Sequence, residues 1–180
     1  IHTSKIPIGD LTETALVKFI YKMNRKAASN KIHKSYEFVK LPFNSETKMM
    51  AKVYNHREEN NNYIIYVKGA PDVLLDKCSL IINKHSEAKP IDSQARKELN
   101  EILEKYNSRQ QRTILLASKK ISGTEFEDLL SKFEGEFTYN CLLDAIKKDL
   151  KLIAIVGIAD LPREDVYDAI LKCQAAHVNV

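Results

Sequence analysis

The sequence predicts an α+β fold, a mostly antiparallel, twisted sheet with helices packed on its faces. Three observations lead there. Short alternating runs, "YEFVKLPF" (residues 36–43), "KMMAKVYN" (48–55) and "YIIYVK" (63–68), follow one another across brief polar turns, the pattern of an antiparallel meander. Helical spacing appears on both sides of them, most extensively at residues 92–109. Near the C terminus "LKLIAIVGIAD" is almost wholly apolar and reads as a strand buried on both faces.

Each element has its own warrant. Ala15, Leu16, Phe19, Ile20 and Met23 recur at helical spacing, and Thr12 is the expected N-cap. Residues 29–34 form a polar loop, and Asn44 and Ser45 supply the turn between the first two strands. The Asn-rich stretch 56–62 is a solvated hairpin loop. "APDVLLDKC" starts a short helix with Pro71 in its first turn, where the missing N–H costs nothing. In the helix at 92–109, Asp92 or Ser93 caps, and Ala95, Leu99, Ile102, Leu103 and Tyr106 make the apolar stripe. "RTILLASKKI" (112–121) is a further strand, and two short helices surround residues 126–133 and 139–147. The apolar strand and the helical stretch after Pro162 resemble one βα unit of a parallel sheet, expected to be the edge of a second domain.

The 180 residues suffice for one substantial domain with a core. A hydrophobic content of 44%, 29% charged residues and a net charge of +4 are ordinary for a soluble globular chain, and no arginine-rich stripe suggests nucleic acid. Cys78, Cys141 and Cys173 form no CxxC pair, so neither a zinc site nor a disulfide framework is indicated. No apolar run is long enough to span a bilayer. The common phosphate loops, HExxH, EF-hand loops and the nucleophile elbow are missing as well.

What remains is a set of residues at element ends: Lys68 and Gly69 where a strand stops, Phe43 with Lys48 beyond it, Glu13 at a helix start, and Arg112 opening a strand. Singly, each is an ordinary surface or core residue. Together they offer an aromatic face, ammoniums, a guanidinium and a carboxylate, the groups that stack an adenine, bond its amino group and neutralise phosphates.

Five segments in order then carry a family resemblance. "GDLTETALVKF", "LPFNSETKMM", "VKGAPDVLLDKC", "RTILLA" and "VGIADLPREDVYDAILKCQAAHV" are similar to the GDxTExALL helix, the PFNSxxK hairpin, KGAPExxLxxC, RxLxxA and the GxxDPPR return of the cation-pumping P-type ATPases. The chain resembles the nucleotide-binding domain of these pumps, especially the calcium and sodium/potassium branches. The resemblance implies ATP, as Mg-ATP in the intact pump, with Phe43 stacked on adenine and Lys68 and Gly69 lining the adenosine site. It implies that Lys48 reaches toward the nucleotide, that Glu13 lies near the amino group of the base and that Arg112 faces the phosphates. It assigns no metal ligand and no catalytic residue here, and Cys78 only packs.

Under this resemblance, residues 1–148 are the nucleotide-binding domain and 149–180 begin the return into the phosphorylation domain. DKTGT, TGDGxND and the TGE loop do not occur in the chain. It is therefore expected to be an excised piece of the cytosolic part of a membrane pump, binding ATP and ADP without turnover. Its partners would be the phosphorylation, actuator and membrane domains of the same polypeptide. Two alternatives are a stand-alone nucleotide sensor and an interaction module of the same fold. The chain departs from the family pattern at Gln110 and His177, where glycine is usual, and at Leu161, which replaces the first proline of DPPR.

Overall fold

The computed structural model describes residues 10–23, 36–56, 62–83, 87–159 and 162–180. Helix α1 (Leu11–Met23) precedes the meander β1 (Tyr36–Asn44), β2 (Met49–His56) and β3 (Asn62–Gly69). A short helix α2 (Pro71–Leu74) and a 3-10 turn (Leu75–Lys77) lead to β4 (Cys78–Ile82) and β5 (Ala88–Pro90). Then come α3 (Ser93–Ser108), β6 (Arg112–Ile121), α4 (Gly123–Ser131), α5 (Tyr139–Ala145), β7 (Leu150–Ile158) and α6 (Val166–Ala175).

The strands form one mixed seven-stranded sheet in the order β1-β2-β3-β6-β7-β4-β5. β7 runs parallel to β4, and every other pairing is antiparallel. The apolar run at 150–158 is thus an interior strand of this sheet, bonded to β6 on one side and β4 on the other. Strands β4 and β5 did not stand out in the sequence, because "CSLII" follows the 3-10 turn without a break and "AKP" is too short to alternate.

Strand alternation separates two faces. One carries Met49, Ala51 and Val53 of β2, Ile65 and Val67 of β3, and Leu115 and Ala117 of β6, all buried. On it Phe126 of α4 stacks on Tyr63 at 3.8 Å between ring centroids, with Phe137 stacked at 5.6 Å and Phe38 edge-on at 5.3 Å. Lys119 also points this way, and its Nζ donates to the carbonyls of Ala145 (2.8 Å) and Lys148 (3.0 Å), satisfying the end of α5. The opposite face carries Met50, Lys52 and Tyr54 of β2, Ile64, Tyr66 and Lys68 of β3, and Leu116 and Ser118 of β6, none of them buried. The strand at 150–158 follows the same rule: Leu150 and Leu152 are buried while Ile153 is 39% exposed, so it is covered on one face rather than two.

Helix caps correct one reading and bear out another. Asp10, not Thr12, caps α1: its Oδ1 accepts from the backbone N–H of Thr12 (2.7 Å) and of Glu13 (3.3 Å). Those two bonds hold the Asp10 carboxyl below its ordinary pKa. A cap must precede the first helical residue, and Thr12 is already inside the helix. Asp92 caps α3 as the sequence suggested, accepting from Ala95 N–H at 2.7 Å.

Both glycine departures fall on left-handed backbone. Gln110 (φ 55°) follows α3, and His177 (φ 56°) follows α6. In each case the next residue reaches back, Gln111 N–H to Tyr106 O (3.1 Å) and Val178 N–H to Cys173 O (2.9 Å), the double-bonded helix ending that favours glycine. The turn therefore persists at Gln110 without the glycine. Gln110→Gly and His177→Gly should each stabilise the chain by about 1 kcal/mol, since relief of the left-handed strain exceeds the entropic cost of glycine. Urea unfolding measures this, and a loss of stability in either variant would contradict it.

Candidate functional site

β-register gathers most of the sequence-derived candidates at one end of the sheet. Met49 pairs with Gly69 and Met50 with Lys68, while Lys68 and Gly69 face Leu116 and Leu115 on β6. Directly paired residues share a face, so Met50, Lys68 and Leu116 form a row, with the ammonium between two apolar side chains. Phe43 lies at the end of β1 in the same region and is 64% exposed. A phenyl ring kept in solvent contributes little to a core, whereas it suits a planar ligand.

Helix α1 supplies the carboxylate. Glu13, in its first turn, accepts a hydrogen bond from Lys68 Nζ, although 55 residues separate them. Glu13 and Lys68 are thus brought together. The Lys68 side chain is the more enclosed of the two, at 19% exposure against 48%.

Lys48 is placed by its backbone. Asn44 Oδ1 accepts from the N–H groups of Glu46 (2.8 Å) and Thr47 (3.2 Å), folding the turn, and Lys48 closes it at φ 50°. Its carbonyl accepts from Ala70 N–H at 3.1 Å, and its Nζ contacts Asp72 Oδ2 at 2.9 Å. Gly69 permits this closeness, because a Cβ there would lie 2.7 Å from Lys48 O and 2.9 Å from Met49 Cβ. Gly69 is buried, and the space opened by its missing side chain is filled by the β1–β2 turn. Sequence reasoning missed Asp72, since nothing local links two residues 24 positions apart.

Arg112 opens β6 opposite Ile158 of β7, three residues before Leu115. At strand rise that sets it about 10 Å beyond Gly69, at the same sheet end but further out. It makes no ion pair among the described residues and is exposed.

Two cavities flank this end. One, about 350 Å³, lies between α1 (Ala15, Leu16, Phe19), Tyr106, the end of β7 (residues 155–158) and Ala159. The other, about 470 Å³, lies between α2 and α3 and is lined by Asp72, Asp76, Asn100, Asn107 and Thr113 among others. Phe43, Lys48 and Lys68 line neither of these two. Arg96 braces the segment after Lys68-Gly69, donating to the carbonyls of Leu75 (2.7 Å) and Cys78 (3.3 Å). Cys78 packs beneath it, its thiol donating to Leu74 O at 3.3 Å and pushed up to about 11 by burial, which leaves it unreactive.

An exposed ring, two held ammoniums, a carboxylate and a guanidinium lie toward one sheet end, and comparison with known proteins identifies the lineage. Residues 2–165 match the family model of the P-type ATPase cytoplasmic domain N. The chain belongs to that family. This N domain is 31% identical over 176 residues to the human plasma membrane calcium-transporting ATPase 4, covering 96% of the chain and 13% of that protein. It is 26% identical over 172 residues to the sodium/potassium-transporting ATPase subunit alpha of Tetronarce californica, covering 96% and 16%. Human potassium-transporting ATPase alpha chain 2 is 27% identical over 190 residues, covering 98% and 16%. The N domain therefore spans only a small part of the relatives it matches. Among its described residues no helix is long and apolar enough to cross a membrane.

Proposed function

We propose that this N domain is the cytosolic ATP-binding domain of a membrane cation pump. It would present ATP to an aspartate of the phosphorylation domain of the same polypeptide when the domains close. The observation that carries the reading is the register of β2, β3 and β6, which sets Lys68 between Met50 and Leu116, beside Glu13 and at the sheet end that holds Phe43 and Lys48. Adenine stacks on Phe43, with Lys68 and Gly69 at the adenosine end and Glu13 near the amino group of the base. Lys48 reaches toward the nucleotide and Arg112 toward the phosphates.

Lys48, Lys68 and Arg112 are cations that suit phosphate oxygens and not a metal ion, so magnesium is held by the nucleotide rather than by this surface. Residues 1–148 are the nucleotide-binding part, and 149–180 start the return to the phosphorylation domain, β7 completing the sheet on the way. The phosphorylation, actuator and membrane domains are its partners. No DKTGT acceptor occurs in the chain, so by itself it binds ATP and ADP without turnover.

Most of the affinity should come from the base and ribose. A chemical-shift titration is expected to show AMP binding nearly as well as ATP, GTP more weakly, and little help from magnesium. The phosphates add an exposed charge contact with Arg112, on the order of 1 kcal/mol or less. Strong magnesium-dependent preference for ATP over AMP would overturn this assignment, as would steady phosphate release by the isolated chain.

A further inference from the structure

Both lysines assigned to the nucleotide are neutralised within the chain: Lys68 by Glu13, and Lys48 by Asp72 at 2.9 Å. The two pairs differ in what a ligand would do to them. Glu13 stands at the adenosine end, where the ligand is uncharged. Asp72 shares its partner with a nucleotide whose other end is anionic, and a carboxylate beside Lys48 would repel phosphate oxygens that came within reach of it.

The backbone that carries the Lys48–Asp72 pair is held together as well. Lys48 O accepts from Ala70 N–H, the missing Cβ of Gly69 admits that carbonyl, and α2 begins at Pro71 immediately before Asp72. The Ala70–Lys48 bond joins turn and helix, and it sets Asp72 beside Lys48. Both side chains remain accessible, Lys48 at 53% and Asp72 at 61%, so the ammonium can exchange one anionic partner for another.

We infer that Asp72 is a specificity-determining residue, a carboxylate that competes with the nucleotide's phosphates for Lys48 and by its charge disfavours metal-free polyphosphate. The inference rests on the nucleotide reading of Lys48. Asp72 costs a ligand affinity in proportion to the negative charge brought near Lys48. That cost is largest for metal-free ATP and smaller for Mg-ATP, whose charge is partly neutralised, and for AMP. The resulting preference for magnesium-complexed over metal-free ATP is small, about two- to threefold, and arises without any metal ligand on this surface. It agrees with the small phosphate contribution expected of the unmodified chain, since one of the available cations is already engaged.

The test measures binding of metal-free ATP (with EDTA), Mg-ATP and AMP to the unmodified chain, Asp72→Asn, Asp72→Ser, Lys48→Ala and the Lys48→Ala/Asp72→Asn double variant. Asp72→Asn is expected to tighten metal-free ATP about fivefold and Mg-ATP or AMP less than about twofold at moderate ionic strength. In the Lys48→Ala background the gain should shrink, because the contested cation is gone. Asp72→Ser makes the same charge change with a different side chain and should reproduce the order. If Lys48→Ala weakens ATP while both Asp72 variants leave it unchanged, or weaken it too, Asp72 does not compete and the inference fails. If Lys48→Ala itself leaves ATP binding unaltered, Lys48 is no nucleotide residue, and the reading beneath the inference fails first.

Discussion

Gly69→Ala is expected to destabilise the N domain by about 3 kcal/mol, the upper part of the range for forcing a methyl into a packed interior. The atoms in the way are a carbonyl oxygen at 2.7 Å and a Cβ at 2.9 Å, both tied to backbone, with Leu74 Cδ1 at 3.1 Å behind them. A flexible side chain could swing aside, but Lys48 O cannot. It is held by Ala70 N–H and by the left-handed conformation of Lys48. For a domain of this size the loss corresponds to a fall of roughly 6–12 °C in the unfolding midpoint. Nucleotide binding should weaken as well, because the same displacement moves the turn bearing Lys48 and the end of β1 bearing Phe43. Calorimetry checks the first effect and titration below the new midpoint the second. A variant of unchanged stability that has lost ATP would mean that ligand approach, rather than packing, requires the glycine.

Phe43→Ala should reduce ATP and AMP affinity tenfold or more while leaving the fold intact. Stacking of a base on an aromatic side chain is typically worth about 1–3 kcal/mol. The ring is 64% exposed, so removing it opens no cavity, in contrast to the fully buried Phe126. AMP and ATP should lose equally, since both carry the base. Lys68→Glu should weaken the two nucleotides as well, because it sets a second carboxylate against Glu13 in place of the ammonium. If Phe43→Ala lowers the unfolding midpoint sharply and spares binding, the ring belongs to the core and the adenine lies elsewhere.

Much of this arrangement was legible in the linear chain, for reasons that can be named. The meander declares itself because one face of each strand is buried and the other is not, which forces the alternation seen in "KMMAKVYN" and "YIIYVK". The helix at Ser93–Ser108 carries its cap and apolar stripe in consecutive residues. Cap chemistry was harder to read at α1, where Asp10 and Thr12 both suit an N-cap and only the helix start at Leu11 separates them. Strand β5 has three residues, too few for any periodic signal.

The ordered motifs of the sequence by themselves determined the family, and local chemistry determined the type of group expected at each candidate position. Tertiary structure alone decided how those groups are partnered. Whether β7 is an interior strand of this sheet depends on hydrogen bonds to β4 and β6, whose sequences say nothing of one another. Gly69 could be assigned to close approach from its type, but that it is a turn carbonyl that approaches required Lys48 O to be seen above it. Lys48 and Asp72, and likewise Lys68 and Glu13, are far apart in the chain. Charge acts through space, so the neutralisation of each lysine was settled only when the register of β2 with β3 and the placing of α1 set its carboxylate beside it.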